Sequence, residues 1–543
     1  MISLNIQDIL GSIRPTDILA IALLISIFRL FSNARSRVRT TKLKGPISDN
    51  LFVGVFPKLG GSDDPKVFLD ETLKEFGTAF SIPMGFGRRD IVVCDAKGAA
   101  HILARDTFGY QQQAFARIFL DNMLGKNGIL STERDDHRRI RRAMTPAFSN
   151  SAIRGYIEAF HGNYDKMSSA WDATLDSGAS TIEVQGWMNR LALENLGLAG
   201  FSHEFKALVT SAGETPELIH VIESFKLPAS GDVLSKAFFF LSPLLPWLLK
   251  LPSDNTRLLW RLRFAMKDIA DNLLEKTKQE LEMDGSGAKV TDKSIIGTLI
   301  KVEGASSGSF TMTSDEVLSQ NTLFLAGYET TSTTLTWALV ELARHPEIQG
   351  KLRDELNETL HSNEASWEQL TSGLPYLEAF TQEILRVHAP VDILLRKAHE
   401  NDVVPLSKPV PTTSGDLVSE IVIAKGESLH IPIGFINMSE DLWGPDVREF
   451  NPERWMKDLT PGAQAIQGHH HLMSFSDGPR FCLGRHFALA NFKATLSNLV
   501  RRYTFELPRG KDTEIVRHIG LIPRPMVVGE EGPRVPLVVR RIE

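Results

Sequence analysis

From Thr313 to His345 the chain keeps a helical pattern without punctuation, and Pro346 then ends it. At 1.5 Å per residue, about 32 residues span roughly 48 Å, enough to cross a whole domain. A chain with such a helix is built around it, so the expected class is mainly α. Thr313-Ser-Asp-Glu316 reads as its start, with Thr313 capping and Glu316 reaching back as a capping box. The middle, Ala326-Gly-Tyr-Glu-Thr-Thr-Ser-Thr-Thr334, breaks helical rules. Glycine inside a helix costs about 1 kcal/mol relative to alanine, and a run of Ser and Thr competes for backbone hydrogen bonds. Violations of this kind midway along a central helix mark function. Leu323, Ala326, Gly327, Thr330 and Thr334 share one face of small residues with hydroxyls at its centre. Such a groove admits something flat and close, and a hydroxyl in it can hold a water or bound oxygen. A tight helix–helix crossing uses the same small residues, and this segment alone leaves both readings open.

Cys94 and Cys482 are the chain's only cysteines. That excludes a disulfide-stapled secreted scaffold and points to a reducing compartment. Cys94 ends the apolar run Ile91-Val-Val-Cys and reads as a packing residue. Cys482 is different. In Phe475-Ser-Asp-Gly478-Pro-Arg480-Phe-Cys482-Leu-Gly484, two glycines flank it in a loop that leads into a helix-periodic stretch, Phe487 to Val500. Glycine lets backbone approach a bulky planar group, a helix N-terminus stabilises a thiolate, and Arg480 can pair with a carboxylate. A packing cysteine accounts for none of these together.

The remaining pattern adds a minor β lobe. A helical stretch ends near Gly77, Ala79–Pro83 and Ile91–Cys94 read as strands around Gly85-Phe86-Gly87, and Ala96 to Ala104 is helical again. Ser131 to about Ile300 is mostly helix with breaks at Pro243 and Pro246; Gly304 to Ser309 is a loop, as is the stretch carrying Pro409, Pro411 and Gly415. A length of 543 residues by itself suggests two or three domains. The net charge of −6 is too mild for a nucleic-acid partner. Its distribution says more: up to Lys44 the chain carries +5, leaving −11 for the rest. The basic residues flank Ile18 to Phe28, ILAIALLISIF, which is shorter than the ~20 residues of a perpendicular span. No small-residue cleavage site follows Phe31, and the positive-inside rule puts the basic run on the cytoplasmic side. We therefore expect residues 1–44 to be a membrane anchor with its basic flank, and 45–543 to be a cytosolic catalytic domain.

Phe475-x-x-Gly478-x-Arg480-x-Cys482-x-Gly484 resembles the haem-binding motif of the cytochrome P450 family in full, and the style of the chain resembles fungal microsomal members. Three further motifs follow the family's order. Ala326-Gly327-Tyr-Glu329-Thr330-Thr331 resembles its oxygen-activation motif, Glu383-Ile-Leu-Arg386 its E-x-x-R pair, and Phe450-Asn-Pro452-Glu453-Arg454-Trp455 the segment completing that pair. The resemblance implies one large domain, mainly α with a minor β lobe, holding haem b through Cys482, with Phe475, Gly478, Arg480 and Gly484 around it. It implies that Glu383, Arg386 and Arg454 form a buried structural network. His137 stands where the family commonly has Trp in W-x-x-x-R, with Arg141 in register; these two, Arg396 and His471 are expected to contact the haem propionates. The basic cluster Arg138, Arg139 and Arg142 is either a reductase-docking surface or a solvated face.

The implied chemistry places electron-donating thiolate on the iron, Thr330 against dioxygen, and Glu329 feeding protons inward through water. Electrons would come from NADPH through a separate cytochrome reductase, because the chain lacks a Gly-rich dinucleotide motif. Expected pocket segments are Leu323, Val391 to Leu395, Ile519 to Ile522 and Phe108 to Leu120, all mainly apolar, which implies a lipophilic small-molecule substrate such as a terpenoid or other secondary metabolite. The expected site of action is the endoplasmic reticulum membrane, single-pass. Two other readings compete. A haem-thiolate isomerase or dehydratase acting on a peroxide needs no Thr330 beside Glu329, and a non-catalytic membrane haem protein needs no substrate groove.

Overall fold

The computed structural model describes residues 40–48, 65–124, 126–209, 322–361, 364–518 and 522–542 apart from Phe86, with isolated positions elsewhere. Helix α1 (Pro65–Phe76) leads through Gly77 into the antiparallel hairpin of β1 (Ala79–Pro83) and β2 (Arg89–Val93), registered from Ala79 opposite Val93 to Pro83 opposite Arg89. Asp95 then caps α2 (Ala96–Ala104) by accepting from the Gly98 N–H at 2.9 Å. Along β2 and beyond, Ile91 to Cys94 are all buried, and Cys94 packs with Phe80, Ile82 and Phe435. β3 (Tyr110–Gln112), α3 (Ala114–Leu124), α4 (Arg134–Met144), α5 (Ile157–Asp176), β4 (Thr181–Glu183) and α6 (Val184–Phe201) follow.

The long helix, α7, is described over Thr322–Arg344. Thr313, and with it the expected capping box, lies outside the described residues; the Glu316 carboxylate receives the guanidinium of Arg139 through two bonds. The hydroxyl-rich middle stays helical because its side chains bond back along the helix. Thr330 donates to the Ala326 carbonyl at 2.6 Å, Thr334 to Thr330 at 2.7 Å and Thr336 to Ser332 at 2.8 Å.

Helices α8 (Pro346–Leu360) and α9 (Pro375–Val387) precede the sheet strands β5 (Leu394–Ala398), β6 (Asp402–Pro411), β7 (Leu417–Ile423) and β8 (Ser428–Ile431). The stretch with Pro409, Pro411 and Gly415, expected as a loop, is mostly strand: β6 and β7 form a two-stranded ribbon whose register shifts between Pro405 and Val410. A ribbon with a bulge tolerates prolines because few of its N–H groups are needed, and Gly415 turns it with φ +97°. The five-stranded sheet runs β1-β2-β8-β5-β3, parallel only between β2 and β8. Helix α10 (Arg485–Arg502) leads to β9 (Tyr503–Glu506), the hairpin β10 (Ile515–His518)/β11 (Arg524–Val527), and β12 (Pro536–Arg541), which joins β4 and β9. Among the described residues no helix is long and apolar enough to cross a membrane. Residues 18–28, Pro243, Pro246 and 304–309 lie outside the described residues.

The largest apolar cluster fills the space between helices, with Trp171, Leu196, Leu339, Leu352, Phe380 and Leu496. A second lies under the five-stranded sheet, with Val93, Leu103, Leu385, Leu429 and Trp443. Helix α9 joins the two, giving Phe380 and Ile384 to the first and Leu385 to the second.

The same helix carries a fully buried ion pair. Arg386 donates to both oxygens of Glu383 at 2.8 and 2.7 Å, and neither side chain has any exposure. Arg386 also donates to the carbonyls of Val447 (2.7 Å) and Glu449 (3.1 Å). Glu383 accepts from the Asn451 N–H and the Trp455 indole, both at 2.9 Å. Arg454 stands at the edge of this group, 3.7 Å from Glu383 and bonded to Asp446. Arg386→Ala would leave Glu383 a buried charge without its guanidinium, and we expect a loss of about 3–5 kcal/mol of folding stability. A urea midpoint equal to that of the unaltered protein would remove the pair from this role.

Candidate active site

Three elements converge on one cavity. From α7 come Leu323, Ala326, Gly327, Thr330 and Thr334; from the loop before α10 come Phe475, Arg480, Cys482 and Gly484; from α4 come His137 and Arg141. The cavity measures about 470 Å³, within the range of small-molecule sites, and its walls are mainly apolar: Leu120, Leu196, Val391, Leu394, Ile433 and Ile522 take part. Of the expected pocket segments, Val391 and Leu394, Ile522, and Gln112 with Leu120 reach it; Phe108 is 45% exposed on the outer surface. Residues 519–521 lie outside the described residues.

The small-residue face of α7 serves both readings left open by its sequence. A Cβ on Gly327 would stand 3.1 Å from Leu196 of α6, so this glycine permits a close helix crossing. Gly327 also lines the cavity, with Ala326, Thr330 and Thr334.

The cysteine loop is fixed by its backbone. The Cys482 N–H donates to the Phe475 carbonyl at 2.8 Å, and Gly484 sits at the N-terminus of α10. Gly478 has φ +67°, and a Cβ there would come within 2.1 Å of the Leu103 carbonyl. This glycine therefore makes room for the end of α2. Burial pushes the Cys482 thiol up, while the Gly484 N–H and the cations Arg141 and Arg485 pull it down. Cys94 lies away from the cavity in the core.

At the cavity edge the cations have acidic partners that the motif reading missed. Arg396 grips Asp106 with contacts of 2.7 and 3.0 Å. Arg480 reaches Glu133 at 2.6 Å and lies 3.7 Å from Asp106. Asp106 is fully buried at its side chain and also accepts from the Thr107 N–H, whose φ of +77° is rare for a β-branched residue. Arg141 stacks over the Phe481 ring at 4.2 Å, and its Nη2 is buried with no hydrogen-bond partner. His137 is 3% exposed, and burial with Arg480 and Arg141 pushes its pKa down to about 3.

His471 lies outside the cavity lining, with Nδ1 facing the Ile466 carbonyl at 3.3 Å. In the basic cluster of α4, Arg139 is paired with Glu316, and Arg138 lies over Phe108 at 5.8 Å. Glu329, expected to lead protons through water, is buried and receives Arg524 of β11 at 2.6 Å. Arg524 was legible as the lone cation of the apolar stretch Leu521-Ile-Pro-Arg-Pro-Met526.

The family model for Cytochrome P450 matches residues 44–528. The chain belongs to the cytochrome P450 family. It is 45% identical over 520 residues to Cytochrome P450 monooxygenase claQ of Ampulloclitocybe clavipes, covering 95% of this chain and 96% of that one. It is 46% identical over 512 residues to claP of the same fungus (93% and 94% covered), and 32% identical over 534 residues to Cytochrome P450 monooxygenase 205 of Postia placenta (96% of each). The protein is a haem-dependent monooxygenase, and a P450 holds its haem through a cysteine thiolate. The residues present fit that group: an apolar cavity, a cysteine on its wall, and a buried arginine nitrogen without a partner at its edge suit an apolar macrocycle bearing carboxylates.

Because His137 binds a proton less readily folded (about 3) than unfolded (6.5), its contribution to stability is complete above pH 6.5 and is lost as pH falls towards 3. At pH 5 the loss is about 2 kcal/mol. His137→Gln should therefore shrink the stability difference between pH 7 and pH 5 by that amount in urea unfolding.

Proposed function

We propose that this cytochrome P450 oxidises a lipophilic small molecule, a terpenoid or other secondary metabolite, with Cys482 as the thiolate ligand of haem b. The observation that carries this reading is that Cys482 and Thr330 line one mainly apolar cavity. Bound there through the Cys482 thiolate, haem would supply dioxygen activation, one oxygen atom entering the substrate and the other leaving as water with two electrons from the reductase and two protons. Arg141 and His137, with Arg396 and Arg480, would hold its carboxylates, the arginines sharing their forks with Asp106 and Glu133. Phe475, Gly478 and Gly484 shape the loop that presents the cysteine.

The Thr330 hydroxyl gives its proton to the Ala326 carbonyl, so its oxygen is left to accept a hydrogen bond from the cavity. Glu329, next in the chain, is the proposed proton-supplying group. The apolar walls select an apolar substrate, since an unpartnered polar group would be costly to bury there. Electrons reach the site from NADPH through a separate cytochrome reductase. The apolar segment 18–28 with its basic flank anchors the protein in the endoplasmic reticulum membrane, catalytic domain in the cytosol.

The deciding measurement is a carbon-monoxide difference spectrum of the dithionite-reduced, detergent-solubilised protein. A strongly red-shifted Soret band, lost in Cys482→Ser, is expected; the same band in both proteins would refute the ligand. With reductase and NADPH, Thr330→Ala should release several times more peroxide per NADPH consumed. An unchanged peroxide yield would take Thr330 out of the chemistry.

A further inference from the structure

The hairpin of β10 and β11 is tied to the site at two points. On β10, Arg517 pairs at 2.7 Å with Asp392, which follows the cavity-lining Val391. On β11, Arg524 reaches across to α7 and holds one oxygen of Glu329 with two N–H groups, Nη2 at 2.6 Å and Nε at 3.2 Å. The second pair is sealed from solvent, with side-chain exposures of 5% and 1%. His518 stands opposite Arg524 in the hairpin register, and burial with Arg524 lowers its affinity for a proton. Ile522, two residues before Arg524, lines the cavity, and Thr330 directly follows Glu329.

We propose that Arg524 is a positioning residue: it holds Glu329 as a carboxylate turned towards the hairpin, and Glu329 passes a proton to the cavity only when this pair loosens. The inference rests on the reading of Glu329 as the proton-supplying group. Its physical basis is the depth of the pair. A guanidinium in contact with a carboxylate away from water strongly favours the charged form, and an anion so held has no proton to give. To act, Glu329 must take a proton from the water side, release Arg524, and hand the same proton to a water beside Thr330; no proton is gained or lost in the cycle. Ile522 and Arg524 sit at one end of one strand, so filling the cavity against Ile522 bears on the same pair. A plain mechanical strap is the rival explanation. The hairpin has such a strap in Arg517 and Asp392, a partly exposed pair on its other strand.

The test uses the full-length haem-loaded protein with a cytochrome reductase and NADPH, without added organic substrate. Arg524→Gln keeps a donor and removes the charge; a normal carbon-monoxide spectrum verifies that it is folded. Infrared difference spectra at neutral pH should show a carboxylic C=O band in Arg524→Gln that the unaltered protein lacks and the double variant with Glu329→Gln loses. The peroxide released per NADPH should change about threefold or more in the Glu329 background and hardly at all with Glu329→Gln, because coupled residues are not additive. Arg517→Gln should produce no such band. Absence of the band in Arg524→Gln, its appearance in Arg517→Gln, or equal peroxide shifts in both backgrounds overturns the proposal. If Glu329→Gln alone leaves peroxide release unchanged, the proton-supplying role falls first and the inference with it; a normal Glu329→Gln effect without the band sinks the inference alone. Should Arg524→Gln fail to retain haem, Arg524→Lys is read instead, with a smaller peroxide shift that again must vanish in the Glu329→Gln background.

Discussion

The buried pair of Glu383 and Arg386 is the interaction on which the placement of the cysteine loop depends. Its influence can be followed bond by bond. Arg386 lies 3.5 Å from the Asn437 carbonyl; the Asn437 side chain accepts from the Met473 N–H at 2.9 Å and donates to Ser474 at 2.7 Å. Ser474 in turn donates to the Leu385 carbonyl, beside Arg386, at 2.6 Å, which closes the circuit on α9. The next residue, Phe475, accepts the Cys482 N–H. A buried ion pair contributes little net stability, since desolvation offsets its Coulombic gain. What it contributes is definition: three carbonyls, an indole and a backbone N–H have one arrangement that satisfies both charges. The cysteine therefore hangs from a polar frame, where packing alone would leave its loop free to choose among several positions.

Charge at the cavity edge follows a related logic. Arg396 and Arg480 share Asp106, and Arg480 has Glu133 as well, so two of the three arginines are compensated before any ligand arrives. Arg141 has neither carboxylate and a buried nitrogen without a hydrogen bond, as Arg480 also has at Nε, and its neighbour His137 remains neutral. Resident carboxylates of this kind let a cluster of cations be buried without mutual repulsion, while each guanidinium fork retains donors for another anion. The arrangement keeps the arginines in place when the cavity holds nothing anionic.

Much of this was legible in the sequence, for identifiable reasons. The strand Ala79–Pro83 and the helix Ala96–Ala104 match the pattern residue for residue, because a glycine turn and helical periodicity are local signals. Cys482, Thr330 and His137 were marked by motifs whose spacing is set by one loop or one helix. Asp106, Glu133 as the partner of Arg480, and Arg524 as the partner of Glu329 were not, since each contact joins positions hundreds of residues apart along the chain. The strand character of Lys408 to Pro411 was hidden by its prolines, whose usual meaning is reversed in a bulged ribbon. Gly478 was marked by its motif, and the fold adds a steric reason: the Leu103 carbonyl occupies the space of its missing side chain.

Helix α7 shows why an unfavourable sequence can be the right one. Its residues divide their tasks: Gly327 makes room for Leu196 at the cavity wall, Ala326, Thr330 and Thr334 line the cavity, and Glu329 bonds to Arg524. A run of leucine, glutamate or lysine would raise propensity above that of glycine and threonine and fill the groove at the same time, because these side chains are larger. The hydroxyls avoid much of the penalty by bonding to carbonyls one turn back, a habit that also tends to bend a helix. The cost that remains is met by the flanking apolar residues, among them Leu335, Leu339 and Leu342, which are fully buried towards the C-terminal half. The helix is thus held where it packs and kept narrow where it faces the cavity, and the acidic side chain between those regions is placed by a strand from the far end of the chain.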